Sequence, residues 1–375
     1  LLGGPGTVSD RPGRAWFGEA QWNRDAGSRN TLTAGTDLRR DSSHAVETAV
    51  PNYTRRKEGG TFSYWAQGKS YTQGTYLQHQ WRAAERVSLI WGARYDYWRT
   101  YGGNVQLTAT SPPEVYQPRS HHAPTAKAAV LFRLPGAIAL RASAGNAYRN
   151  PTIYDLYRTW RSSAGTLFAA NPDLKPEKLA AWEVGANRRW QRGFEADAVF
   201  YDNHVRDLIY RTTDFSRDPQ GRYRPVVNAA RAHTRGVEAS ARAPLTSWLY
   251  ARGAYTWTLA EITSNPAAPA SVGKRIPYVP EHSCALSLFA VRKRWNASVT
   301  GRYVSAQFSS DANTDTTHGV YGAYDPYFVM DASFTFELTS RVALQVSGDN
   351  LFDRIYYSYS RAPGRLLFAG LRIRL

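Results

Sequence analysis

The feature that most constrains the fold is a two-residue alternation of apolar and polar side chains. In Met330–Leu338, apolar residues occupy every even position and polar residues every odd one. The stretches Val87–Tyr97, Trp295–Tyr303 and Leu367–Leu375 show the same alternation. A period of two residues is that of a β-strand with one apolar face and one polar face. No amphipathic helical pattern exceeds two turns, so the sequence predicts an all-β chain.

Two kinds of connection separate these stretches, and they alternate along the chain. Tight turns are predicted at Ala83–Arg86, Leu134–Gly136, Gln191–Gly193, Leu245–Ser247, Lys293–Arg294 and Thr339–Ser340, and long loops at about 42–71, 101–120, 147–176, 213–223, 263–278, 309–326 and 351–364. An antiparallel meander with turns at one end and loops at the other has this order. Greek-key crossings in a soluble sandwich would break it.

Strand length favours an antiparallel transmembrane β-barrel. Many strands reach ten residues or more, apolar on one face and polar on the other, as membrane-spanning strands of ~9–11 residues require. A closed barrel also satisfies every backbone hydrogen bond in lipid. We count about 15 strands. Bacterial barrels have an even number with both ends in the periplasm. Because the first strand, near Arg14–Trp22, runs towards the periplasm, we expect an upstream strand outside residues 1–375.

Composition narrows the classes further. The chain contains no run of 18 apolar residues, so it has no transmembrane helix. Cys284 is the only cysteine, which excludes an internal disulfide. The net charge of +17 is compatible with nucleic acid, anionic lipid or an anionic solute as a partner. Because this charge is spread along the chain instead of forming a basic block, we expect no nucleic-acid partner.

Five motifs occur in a fixed order. They are GNAYRNPTIYDLYR (Gly145–Arg158), NPDLKPEKLAAWEVG (Asn171–Gly185), VNAARAHTRGVEASARAPL (Val227–Leu245), PYVPEHSCALSL (Pro277–Leu288) and GDNLFDRIYY (Gly348–Tyr357) with a following Gly364–Arg365. Together they resemble the TonB-dependent outer-membrane receptors, the siderophore and cobalamin receptor family. The resemblance is good over roughly 70–375. The ending departs from it, because the family usually finishes on Phe or Trp and this chain finishes on Leu375.

The resemblance implies the architecture and partners of the whole protein. Receptors of this family have 22 barrel strands, an N-terminal plug and a TonB box. Residues 1–375 would then be the C-terminal portion of one barrel, with the plug, the TonB box and the first strands absent. The expected location is the outer membrane of a Gram-negative cell, in contact with lipopolysaccharide. Energy would come from the TonB–ExbB–ExbD complex, acting through the plug.

The expected function is binding and import of a ferric siderophore, with no bond broken and therefore no catalytic residues. Vitamin B12 (cobalamin) or a glycan is the alternative ligand, and a passive diffusion porin is the alternative of another class. No G-x-S-x-G motif is present to support an enzyme. Haem receptors of the family carry a His between the first two motifs. Thr152–Ala170 contains none, which argues against haem as the ligand.

Aromatic and arginine side chains in the long loops are candidates for ligand contacts, because rings pack against flat chelates and Arg pairs with their negative charge. The candidates are Tyr154, Tyr157, Arg158, Trp160, Arg161, Tyr321, Tyr324, Tyr327, Tyr356, Tyr357, Tyr359 and Arg361. The alternative role for any one of them is a tyrosine belt at the membrane boundary, or an arginine bound to lipopolysaccharide phosphate.

Charged residues on the polar faces of the strands should face the lumen and the plug. They are Arg94, Asp96, Arg242, Arg302, Asp331, Glu337, Arg372 and Arg374. A separate loop pattern, Asp311, Asn313 and Asp315, offers oxygen atoms at alternate positions for Ca²⁺, or forms an ordinary polar turn. No other cofactor is expected, and iron would be present only in the transported chelate.

Overall fold

Long antiparallel strands make up most of the chain. The computed structural model describes residues 3–55, 59–162 and 165–374. The strands are β1 (Gly6–Asp10), β2 (Gly13–Ala26), β3 (Asn30–Val50), β4 (Thr61–Ala84), β5 (Val87–Gln106), β6 (Glu114–Tyr116), β7 (Arg119–Leu134), β8 (Ile138–Arg149), β9 (Trp160–Arg161), β10 (Leu167–Ala169), β11 (Glu177–Arg189), β12 (Glu195–Arg211), β13 (Tyr223–Pro244), β14 (Leu249–Ser264), β15 (His282–Val291), β16 (Trp295–Val304), β17 (Tyr327–Glu337), β18 (Val342–Asp349), β19 (Tyr357–Ser358), β20 (Ser360–Arg361) and β21 (Leu366–Ile373). One short helix, α1 (Ile153–Tyr157), lies between β8 and β9. In the described part of the chain, no helix is long and apolar enough to cross a membrane.

Each strand of the wall pairs antiparallel with the next, as the meander predicted. β1 and β2 pair with opposite ends of β3 and together form the first strand. β5 pairs with β7, β8 with β11, and β18 with β21. The described wall therefore has fifteen strands, which confirms the predicted number. β6, β9, β10, β19 and β20 belong to the connections.

The strand registers divide the side chains between two faces. Residues directly opposite each other in an antiparallel pair share a face. One face carries exposed apolar side chains, among them Trp91, Trp182, Leu286, Leu371 and Ile373. Following the registers from β5 to β21 places all the residues predicted to face the lumen on the other face. They are Arg94, Asp96, Arg242, Arg302, Asp331, Glu337, Arg372 and Arg374. Their contact with a plug stays a prediction.

Three charged residues on the inner face form what we call the inner-wall network. The Arg94 guanidinium lies 2.5 Å from an Asp37 oxygen and 2.6 Å from an Asp96 oxygen. The Asp96 side chain is completely buried. Gly74, opposite Asp96, makes room for this arrangement, since a Cβ there would lie 1.8 Å from Arg94 Nη2. The network joins β3 to β5 across Gly74 of β4, and every nitrogen of the Arg94 side chain binds a carboxylate oxygen.

The predicted loop at 42–71 is wrong over most of its length. β3 continues to Val50 and β4 begins at Thr61, so the connection is only the stretch between them. At ~3.3 Å per residue and a tilt of ~40°, the 24 residues of β4 reach a height of about 60 Å. The apolar band of such barrels is only ~25 Å tall. The upper parts of these strands stand in water, where no alternating apolar face is required.

The short helix α1 packs against the inner wall at the loop end. A capping box fixes its start, because the Thr152 side chain accepts from the backbone of Asp155 and the Asp155 side chain accepts from the backbone of Thr152. Leu156 and Tyr157 enter a buried apolar cluster. The cluster consists of Tyr64, Ala66, Trp98, Val105, Leu156, Tyr157, Leu174, Ile209 and Val226. It joins the 150–176 connection to β4, β5, β12 and β13.

Two glycines accommodate the Tyr157 ring. A Cβ at Gly68 on β4 would lie 2.5 Å from the ring, and one at Gly103 on β5 would lie 2.4 Å from it. The Tyr157 hydroxyl lies 3.0 Å from Thr100 Oγ1. Burial raises the pKa of Tyr157, so its hydroxyl stays protonated at neutral pH. The ring thus anchors α1 on the wall.

Candidate functional site

Motif residues hold the 150–176 connection in place. Glu177, at the start of β11, makes a double ion pair with Arg149 at 2.6 and 2.8 Å and also accepts from the backbone of Ile209. Asn171 donates to the carbonyl of Val226. Asn228 on β13 bonds both the N–H and the carbonyl of Lys175. The motif residues that signalled the family therefore fix the connection against β12 and β13.

This connection builds a group of arginines and rings that we call the arginine pocket. It consists of Arg158, Arg211, Arg224, Tyr154, Trp160 and Phe168. Trp160 and Phe168 stack with ring centroids 4.1 Å apart. The Arg211 guanidinium lies 5.5 Å from the Phe168 ring centroid and 5.9 Å from that of Tyr154. Arg158 lies 5.5 Å from the Tyr154 ring, and Arg224 is the strand partner of Phe168.

Several buried N–H groups in the arginine pocket have no hydrogen-bond partner among the described residues. They are Nε and Nη1 of Arg158, Nη2 of Arg211, Nε of Arg224 and Nε1 of Trp160. Arg158 also bonds Glu47 through Nη2 at 2.6 Å, and Arg211 reaches backbone carbonyls only at 3.3 and 3.4 Å. A buried cation without full pairing is costly. Each of these unpaired N–H groups is buried, so an external acceptor reaches them only when a covering side chain such as Tyr154 moves.

The predicted ligand-binding residues of this connection have different positions. Tyr157 and Arg158 are 3% and 4% exposed, so Tyr157 meets a ligand only if α1 lifts away from the wall. Tyr154 is exposed and partly covers both Arg158 and Arg211. Arg161 is exposed and donates to the carbonyl of Gly165 at 2.7 Å. Of the five, Tyr154, Arg158 and Trp160 come together in the pocket.

A second group, which we call the tyrosine cluster, comes from three other loops. It consists of Tyr278, Tyr321, Tyr324, Tyr356 and Tyr359. Tyr321 packs against Tyr359 and Tyr278 against Tyr324, with centroids 5.0 and 5.1 Å apart. Tyr356 stacks on Tyr327 at 4.2 Å. The 309–326 and 351–364 loops are joined through Asp325, which accepts from the backbone of Gly319 and Tyr357. Arg361 lies exposed in β20.

The arginine pocket and the tyrosine cluster are neighbours. Asp311, in the 309–326 loop, accepts hydrogen bonds from Tyr210 and Thr212 beside Arg211. Burial raises the pKa of the Tyr278 phenol, and the positive charge of Arg224 partly opposes this rise. Arg224 therefore belongs to the arginine pocket and also interacts electrostatically with Tyr278 of the tyrosine cluster. The two groups together place guanidinium groups close to neutral phenols.

The suggested calcium residues are each engaged by different protein groups. Asp311 binds the hydroxyls of Tyr210 and Thr212. Asn313 bonds the backbone of Arg275, and Asp315 accepts from Ser309 and Ser310. These contacts give the three residues a role in joining loops without an ion. Calcium binding stays a prediction with no support from this arrangement.

Sequence reasoning did not identify Arg211, Arg224, Phe168 or Tyr278 as site residues. Arg211 and Arg224 occupy the ends of β12 and β13 that face the loops, a position available from the strand lengths. Phe168 pairs with Trp160 through the short β9–β10 hairpin. No local pattern marks that hairpin, because two-residue and three-residue strands carry no measurable alternation.

An antiparallel wall with an apolar outer face, a charged inner face and long, folded loops at one end is typical of an outer-membrane β-barrel of the receptor type. The family described as "TonB dependent receptor-like, beta-barrel" matches residues 3–351. The chain belongs to this family, and its location is the outer membrane of Gram-negative bacteria.

Individual relatives are distant. The iron-regulated outer membrane virulence protein of Vibrio cholerae serotype O1 is 23% identical over 314 residues, which cover 80% of this chain and 44% of that protein. The vitamin B12 transporter BtuB of Photobacterium profundum is 23% identical over 228 residues, covering 61% of this chain and 34% of that protein. The chain thus spans less than half the length of both relatives. The structure of the copper transporter OprC shares the fold, with a TM-score of 0.76 and 19% identity over 98% of this chain and 57% of that one.

Proposed function

We propose that the protein containing this barrel binds an anionic ferric siderophore in its loops and imports it. The single observation that carries the proposal is the arginine pocket, where buried guanidinium groups of Arg158, Arg211 and Arg224 have donors without partners. Siderophore chelates combine negative charge with flat oxygen-rich groups. Arginine forks bind such oxygen atoms, and the adjoining rings pack against the flat groups.

The neighbouring tyrosine cluster supports the same ligand. Tyr321 and Tyr359 are exposed, with 70% and 52% of their surface accessible. Hydrogen bonding to Tyr359 raises the pKa of Tyr321, so the phenol is neutral, and its exposed ring can pack against a flat chelate. An anionic chelate would also balance the positive charge of the guanidinium groups, which a ligand without net charge such as cobalamin would not. The name of the Vibrio cholerae relative as iron-regulated agrees with an iron chelate.

Direct binding tests this proposal. The full-length protein is titrated with ferric catecholate, ferric hydroxamate, ferric citrate and cyanocobalamin, and binding is followed by quenching of aromatic fluorescence. We expect an anionic ferric chelate to bind at least tenfold more tightly than cobalamin, and Arg211→Ala to remove most of that preference. Equal or tighter binding of cobalamin, unchanged by the substitution, would contradict a siderophore as ligand.

Expression provides an independent test. A siderophore receptor should be induced by iron limitation, whereas a cobalamin receptor should be repressed by excess cobalamin. Repression by cobalamin with no response to iron would favour the vitamin, and induction by an oligosaccharide would favour a glycan. Saturable uptake that stops when the membrane potential is collapsed would separate a receptor energised through TonB–ExbB–ExbD from a diffusion porin.

A further inference from the structure

A cluster of two histidines and an aspartate lies on the outer face of the wall. His204 on β12 and His233 on β13 are direct strand partners, and their rings stack with centroids 4.4 Å apart. Their Nε2 atoms lie 2.8 Å from the two oxygens of a single carboxylate, that of Asp202. The ligand atoms of all three residues lie within 4.8 Å of one another.

The position of the cluster follows from the register. Asp202 is opposite Trp182, and the next outward residue of β12, Phe200, is opposite Val184. Towards the loop end, the outward residues of β12 are Ala196, Ala198, Phe200, Asp202, His204 and Arg206. The change from apolar to polar after Phe200 marks the outer boundary of the membrane, where aromatic side chains form a girdle. The cluster therefore lies at the level of the lipid head groups.

The Asp202 carboxylate is incompletely satisfied by protein groups. The residue is 9% exposed, and its Oδ1 atom has no hydrogen-bond partner of acceptable geometry among the described residues, although His204 Nε2 is close. A buried carboxylate oxygen without a donor is unfavourable. A cation placed between this oxygen and the two imidazoles would satisfy it.

We propose that Asp202, His204 and His233 bind a divalent transition-metal ion, with Zn²⁺ as the ion that fits best. Two imidazoles and one carboxylate are a ligand set that Zn²⁺ accepts, at ~2.0–2.2 Å from each atom. Bonds of that length place tetrahedral ligand atoms about 3.4 Å apart. The two rings now stack within 8° of parallel, so one ring must rotate before both Nε2 lone pairs point to a single ion, and the exposed His204 ring has the room to do so.

The ligand atoms favour a transition metal over calcium and magnesium. Arg235 is opposite Asp202 on the same face, and Arg206 and Arg231 form the next pair towards the loops. A hard cation requires several oxygen ligands, whereas imidazole suits zinc, copper and nickel. Glu261, opposite His233, is the nearest further carboxylate in the register. The fourth coordination position belongs to it or to water.

The metal would join β12 and β13 from outside and is independent of the arginine pocket on the inner side. Calorimetric titration of the full-length protein with ZnCl₂ tests the site. We expect one Zn²⁺ per chain, and His233→Ala or His204→Ala should weaken binding by at least about tenfold, since even the loss of an outer-shell partner costs 10–100-fold. The matched control is His122→Ala, which removes an imidazole that contacts Tyr95 on the same face. Zinc binding should not change.

X-ray absorption at the zinc edge gives a second measurement. Nitrogen and oxygen neighbours at ~2.0–2.1 Å with imidazole scattering would support the site. A sulfur neighbour at ~2.3 Å would instead point to the exposed Cys284 and overturn the proposal. Absence of saturable zinc binding, or equal affinity in wild type and His233→Ala, would also overturn it. Siderophore binding by the histidine variants should equal wild type, so the two proposals fail separately.

Discussion

Two arginine sites on the inner side of this barrel differ in how completely their hydrogen-bond donors are paired. In the inner-wall network, Arg94 uses three nitrogen atoms to bind two carboxylates, those of Asp37 and Asp96. In the arginine pocket, Arg211 reaches only backbone carbonyls at long distance, and Arg158 shares one carboxylate through one nitrogen. Both sites contain buried groups, but only the second has donors left over.

The difference separates a structural role from a binding role. Ionised groups that bind each other within the wall hold strands together, and removing one of them takes hydrogen bonds from the others. Donors without partners carry a cost in the free protein that a ligand can offset on binding. Substitution in the first site should therefore lower stability, whereas substitution in the second should lower affinity and leave the fold intact.

The largest effect is expected for Asp96→Ala. This change leaves Arg94 paired with Asp37, removes its hydrogen bonds to Asp96 and opens a cavity, so we expect a loss of about 3 kcal/mol of unfolding free energy, the upper end for hydrogen bonds to a charged group. Urea unfolding of the protein in lipid vesicles measures the loss. Ligand affinity of the folded fraction should stay within twofold of wild type. An Asp96→Ala protein as stable as wild type would show that the inner-wall network does not stabilise the fold.

Arg211→Ala should cost about 1.5–3 kcal/mol of ligand-binding free energy, the usual worth of hydrogen bonds to a charged group. Its unfolding free energy should not fall, because the substitution removes a buried cation that has no carboxylate partner. Titration with the best-bound ferric chelate and urea unfolding measure the two quantities. Loss of stability with unchanged affinity would give Arg211 a structural role and contradict its role in ligand binding.

Gly103→Ala should displace the Tyr157 ring, since the added Cβ would lie 2.4 Å from it. Overpacking of this kind costs about 1–3 kcal/mol. Because the ring anchors α1, we expect faster proteolysis of the 150–176 connection and weaker ligand binding. Gly102→Ala is an unsuitable control, because Gly102 has a φ of +61°. Gly18→Ala, with open space around its Cβ, is the matched control.

Tyr157→Phe removes only the contact with Thr100 Oγ1 and should cost about 1 kcal/mol. The ring still fills the space between Gly68 and Gly103, so ligand affinity should change by less than threefold. Thermal unfolding checks the stability and fluorescence titration the affinity. An affinity loss as large as that of Arg211→Ala would show that the hydroxyl contacts the ligand directly.

Arg161→Ala should have the smallest effect. Its side chain is exposed and donates to a single carbonyl, so stability should change by no more than about 0.5 kcal/mol. Affinity should also be unchanged if only the buried arginines bind the chelate. A tenfold loss of affinity would extend the binding surface to the tip of the connection.

The sequence predicts the wall better than the site. Residues such as Arg94 and Asp331 reach the inner face because alternation within a strand assigns each residue to a face. The upper parts of β3 and β4, which fall within the predicted loop at 42–71, show no alternation because strands standing in water need no apolar face. The arginine pocket depends on contacts between distant segments, as when Arg158 meets Glu47. No local pattern could show that Tyr157 is buried while Tyr154 is exposed.

The Tyr157 anchor has a consequence for the evolution of the family. The ring, Gly68 and Gly103 share one fixed volume, although they lie on three separate segments of the chain. A larger residue at either glycine position fits only where residue 157 has become smaller. Among relatives these three positions should therefore vary together, and compensating double substitutions should be tolerated where each single one is not.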